Sequence, residues 1–212
     1  MRGDFILFLF CYMGYIWTLY RFCKKYLNDL KIDRRVFIIL LFVMEAVFNL
    51  NGSVGTPYIL RAMLSHMLFV GLFLIAFSDH AMKKFFAAMV LIAVKTLALN
   101  FGSSFFSCIV LACTNWITGG QVAYIEPWLE GVTGTAAYCL VILVQIVLRK
   151  KFTSVFNHKI SSWYLMISVL LICIVTVVDI VNWGASNGIM VVSNANGAVY
   201  WNVYYNQIFS HI

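Results

Sequence analysis

Six long apolar runs leave this chain few folds to choose from, because the connections between them are alternately rich in Lys and Arg and almost bare of them. The runs cover approximately residues 5–20, 36–50, 59–77, 85–114, 132–148 and 163–181. A helix needs about 20 apolar residues to cross roughly 30 Å of hydrocarbon, and these segments come close to that length. With 63% hydrophobic residues, 11% charged residues and a mean hydropathy of +0.90, the chain carries more apolar surface than 212 residues can bury in a soluble core. The expected fold class is an all-α, polytopic integral membrane bundle. It has six spans plus a partial seventh and forms a single domain over residues 1–212.

The charges give that bundle a direction. Arg21, Lys24, Lys25, Lys31, Arg34 and Arg35 cluster in one connection, Lys83 and Lys84 in a second, and Arg149, Lys150, Lys151 and Lys159 in a third. Residues 51–58 and 182–212 carry no charge, and residues 114–131 only Glu126 and Glu130. Cytoplasmic loops keep their Lys and Arg because carrying them across a bilayer is unfavourable, so the basic connections are expected inside and the amino terminus outside. The expected location is a bacterial plasma membrane, crossed several times. The net charge of +7 sits beside spans, where anionic headgroups attract it. The lipid bilayer is thus the expected partner, and no nucleic-acid role follows.

The first run lacks a small-residue cleavage site, and its positive charge follows the apolar core, so it reads as a retained span and not a secretory signal. The fourth run is too long for one perpendicular crossing. It is tilted, broken near Asn100-Phe101-Gly102, or contains a re-entrant piece. At the carboxyl end, 198–212 (AVYWNVYYNQIFSHI) starts with an interfacial Tyr/Trp cluster and turns apolar. It reads either as a seventh span that is cut short, with a cytoplasmic continuation, or as a helix lying in the outer leaflet.

This layout resembles the membrane sensor region of peptide-sensing histidine kinases of the accessory-gene-regulator type. The features that carry the likeness are the outside amino terminus, the basic first loop RFCKKYLNDLKIDRR, the basic loop ending in ISSWY and the aromatic last segment. The resemblance extends over the whole chain and rests on layout, not on a catalytic motif. It implies a receptor module that takes an extracellular peptide or small apolar ligand and passes a helix movement to a GHKL-type kinase domain in a homodimer. No phosphoacceptor His region or nucleotide-binding box occurs in these residues, so no catalytic residue and no cofactor is assigned to this chain.

Ionisable groups inside apolar runs are the clearest residue-level signal, since each costs at least about 2.5–3.5 kcal/mol at a helix centre without a partner or a wet cavity. Glu45 and Lys95 both lie roughly 14–17 Å from the cytoplasmic ends of their runs, at matching depth for a pair. Asn49, one turn beyond Glu45, shares its face. The pair is either a polar latch that moves on signalling or a static tie between helices. A second set, Arg61, His66 and Asp179, falls nearer the outer surface, where with Glu126, Glu130, Trp116 and Trp128 it lines an outward cup or simply anchors the interface.

Other motifs add little. The six cysteines have no Cys-x-x-Cys or zinc spacing and read as apolar packing residues. The four histidines are scattered, so no metal site is expected. Gly119-Gly120 and the stretch Gly131 to Gly134 read as loop or helix-end signals, and 182–196 as a polar loop. The alternative to a receptor is a small transporter, or the substrate-capturing subunit of an uptake system, with Glu45 and Lys95 on the path.

Overall fold

The computed structural model of the protein describes residues 2–50, 58–118, 127–151 and 162–186. These form six α-helices: α1 (Arg2–Tyr26), α2 (Arg34–Leu50), α3 (Tyr58–Ala76), α4 (Ala81–Thr118), α5 (Pro127–Lys151) and α6 (Ser162–Ser186). Among the described residues there is no strand, only a single antiparallel bridge between Leu30 and Phe77. Two helical segments, Ala81–Ile117 and Val132–Lys151, are long and apolar enough to cross a membrane, and Ala62–Ala76 and Trp163–Val178 are shorter apolar stretches. The last segment, 198–212, and Gly119-Gly120 lie outside the described residues.

Each helix matches one apolar run, and α1, α2, α4 and α5 extend past theirs, because a helix continues through charged residues that end a hydropathy run. Lys24 and Lys25 occupy the last turn of α1, and Arg149, Lys150 and Lys151 that of α5, where cations complement the partial negative charge of the helix end. Asp33 caps α2: its carboxylate accepts the Arg35 N–H at 2.7 Å and its carbonyl the Phe37 N–H at 3.0 Å. α5 opens on Pro127, whose fixed φ suits a first helical turn. Gly131 and Gly134 are therefore inside α5 and mark neither a loop nor a helix end, and α6 runs through residues 182–186, the start of the expected polar loop.

α4 is one unbroken helix of 38 residues, about 57 Å long, which rules out the break at Asn100-Phe101-Gly102. Asn100 instead donates its side-chain amide to the Thr96 carbonyl one turn back, at 2.7 Å. α4 is also the central element, packing on α5, α6, α3 and, more lightly, α1, while α1 lies along α5. At Gly102 the α4 backbone approaches α5 so closely that a Cβ there would stand 3.0 Å from Ala137 Cα.

The core is strongly aromatic. Phe37 of α2 meets Phe77 edge-on at 5.3 Å, Phe69 stacks on Phe73 at 4.7 Å, and Phe86 of α4 packs on Tyr164 of α6 at 4.9 Å. Large apolar side chains also cover the outside, with Phe10, Ile39, Met67, Phe101, Leu143 and Leu170, one from each helix, all exposed. A water-facing monomer rarely shows so extensive an apolar surface.

The connection α1–α2 is clasped to the connection α3–α4. The Lys31 N–H donates to the Ala76 carbonyl at 2.7 Å, the Ser78 N–H to the Asp29 carbonyl at 3.1 Å, and the Asn28 N–H to the Asp79 carboxylate. α5 ends beside them: Lys25 and the Tyr26 hydroxyl both donate to the Arg149 carbonyl. The ends of α1, α3 and α5 and the starts of α2 and α4 therefore share one end of the bundle, and with them all the basic residues of the first two clusters.

Candidate functional site

Midway along α1 and α3, and about a third of the way along α4, these three helices leave a small cleft lined by Tyr15, Ser65, His66, Phe69, Leu91, Ile92 and Lys95. The spacing explains the lining. Ser65, His66 and Phe69 fall on one face of α3, and Leu91, Ile92 and Lys95 on one face of α4. The space is about 20 Å³, enough for about one water.

Lys95 is half-buried, and its ammonium lies 5.9 Å from the centroid of the Tyr15 ring. A cation over an aromatic face gains from the ring quadrupole, about 0.5–2 kcal/mol depending on desolvation. Tyr15, 1% exposed, cannot swing away. It packs edge-on against Tyr138 of α5 at 5.9 Å, Tyr138 against Tyr12 at 6.0 Å, and Tyr12 against Phe42 of α2 at 5.4 Å. A continuous aromatic chain thus runs from the Lys95 ammonium on α4 through α1 and α5 to α2, linking four helices. The backbone places Glu45 one turn beyond Phe42.

Of the six residues singled out in the sequence, the structure brings His66 and Lys95 together in this cleft. His66 therefore belongs with Lys95 at mid-length of α3 and not only with an outer rim. The side chains of Glu45, Asn49, Arg61 and Asp179 lie outside the described residues, as do those of Glu126, Glu130 and Trp128, so the pairing of Glu45 with Lys95 stays an expectation. Trp116 is 87% exposed near the end of α4 and takes no part in the cleft.

The sequence reading missed two polar sites. The first is the clasp itself. Asp79 is buried, accepts the Lys83 ammonium at 2.8 Å, and sits beside the equally buried Lys84, which donates to the Leu74 and Phe77 carbonyls at the end of α3. A lysine there satisfies carbonyls that the helix end leaves open. The second is Gln145, 1% exposed, with Oε1 2.6 Å from the Thr18 hydroxyl and Nε2 unpaired. Thr18 is also 2.9 Å from the Tyr15 carbonyl and has one proton to give. Turning the amide over lets Nε2 donate to Thr18 while Thr18 donates to Tyr15, which joins α5 to α1 just below the cleft. A lone Gln in an apolar run was the available signal for this site. For Asp79 and Lys84 there was none, because loop charges ordinarily face solvent.

Among the described residues no three His, Cys, Asp or Glu side chains stand together as metal ligands. Cys11 of α1 and Cys139 of α5 do meet, with sulfurs 3.7 Å apart. No family model, curated protein or solved structure matches the chain.

Proposed function

We propose that this chain is the membrane-embedded sensor module of a two-component histidine kinase, with six spans, the amino terminus outside and the clasped basic end in the cytoplasm. The observation that carries this reading is the cleft at mid-depth. A cation held against an aromatic chain that touches four helices is built to convert a small displacement into a change of helix packing. The apolar exterior of all six helices supports burial in lipid, and the gathering of basic residues at one end supports the orientation.

In this reading an extracellular ligand, a small peptide by resemblance, lands on the outer connections, which lack Lys and Arg, and shifts the outer halves of the spans. Lys95 and its neighbours move with them, and the last segment carries the shift to a cytoplasmic kinase region. The alternative is a small transporter, or the substrate-capturing subunit of an uptake system, with Glu45 and Lys95 on its path.

The direct test is to read the source gene past codon 212 in frame. A completed seventh span, followed by a helical His-containing segment and an ATP-binding domain, is the expected result. An immediate stop would overturn the sensor-kinase reading for this chain and bring the transporter forward.

A further inference from the structure

We propose that Cys11 and Cys139 are a modification site, a thiol pair that closes to an inter-helix disulfide under membrane-borne oxidants. Their sulfurs are already at van der Waals distance, 3.7 Å, with both residues reduced. A disulfide needs the sulfurs at about 2.05 Å, so closure requires the sulfurs to approach by about 1.6 Å. The helices carrying them run parallel and are held together on the basic side of the pair. Thr18 meets Gln145 further along, and Tyr26 and Lys25 meet Arg149 at the basic end. The sequence offset between partners drifts only from 128 to 123 over that length, so the register that brings the sulfurs together is fixed by contacts independent of them.

The surroundings select the oxidant. Cys139 is exposed on the outer surface of α5, and Leu143, one turn away on the same helix face, is exposed too. In a bilayer this surface is hydrocarbon, about 15 Å from the basic end of α5. Charged or strongly hydrated oxidants are excluded there, whereas a lipid-chain or aralkyl hydroperoxide partitions to that depth. One thiol sulfur attacks the terminal peroxide oxygen. The O–O bond breaks, the thiol proton goes to the departing alkoxide to give an alcohol, and a sulfenic acid is left. The second thiol attacks the sulfenic sulfur. The S–O bond breaks as S–S forms, and hydroxide leaves with the second proton as water. Two thiols give up two electrons in total, and one hydroperoxide takes them up. Cys23 is fully buried, and Cys108, Cys113 and Cys173 are exposed.

The test treats the full chain in lipid nanodiscs with cumene hydroperoxide and then counts thiols after denaturation by mass-tag alkylation. The expected result is a fall from six reactive thiols to four, reversed by dithiothreitol, with a Cys11–Cys139 cross-linked peptide in the digest. Cys11→Ser and Cys139→Ser should each keep all their remaining thiols under the same treatment. Peptide mapping of the unsubstituted chain gives the answer even if a variant fails to fold. Six intact thiols, a cross-link between other cysteines, or thiol loss in Cys11→Ser equal to that in the parent would overturn the proposal.

Discussion

At the scale of single residues, the decisive feature is a charge that the apolar surroundings force into company. Lys95 sits on the Tyr15 ring beside His66, and its removal separates a signalling role from a structural one. Lys95→Met should leave the bundle folded, since Met fills similar volume without a charge to satisfy. Under the proposed sensor function it should weaken the coupling between ligand and kinase by roughly 5- to 150-fold. Autophosphorylation measured against ligand concentration checks this, with monodispersity in size-exclusion chromatography as the folding control. Tyr15→Phe, which keeps the ring face, should stay close to the parent, whereas Tyr15→Leu should follow Lys95→Met. A Lys95→Met protein with an unchanged ligand response would make the residue a static tie.

At the scale of elements, the packing of α4 against α5 depends on one missing side chain. Gly102→Val puts a branched group where even a Cβ would be 3.0 Å from Ala137 Cα and 3.1 Å from its Cβ. The two backbones must then separate, at a cost of about 1–3 kcal/mol. Gly134→Ala, where nothing lies within 4 Å, should instead gain about 0.5–1 kcal/mol of helix propensity. Thermal unfolding in detergent, followed by circular dichroism, should show the midpoint falling for the first variant and holding or rising for the second. The existence of the six helices was legible in the sequence because desolvation enforces a minimum apolar length. Their ends were not, since Lys24 and Arg149 extend helices beyond the apolar stretch. Nor was the choice of facing partners. α4 is apolar on nearly every side, so periodicity does not mark the face that meets α5, and neither Gly102 against Ala137 nor Cys11 against Cys139 was readable. His66 and Lys95 were legible as unusual residues, but their shared cleft requires the rotation of α3 about its own axis, which no sequence pattern records.

For the whole molecule, the arrangement of the ends makes a prediction independent of any ligand. A green fluorescent protein fused after residue 31, 80 or 155 should fluoresce, because these positions belong to the basic side, and alkaline phosphatase fused there should be silent. Fusions after residue 54 or 122 should give the reverse. A phosphatase-positive fusion after residue 80 would overturn the proposed orientation. The clasp between Asn28–Lys31 and Ala76–Asp79 has a mechanical meaning as well. Helices pinned together at one end behave as tongs: the pinned end is the pivot, and displacement grows with distance from it. A tilt of roughly 5° that is barely felt at Asp79 carries the far end of a 30 Å helix by about 2–3 Å, so the outer rim is where the smallest force has the longest arm.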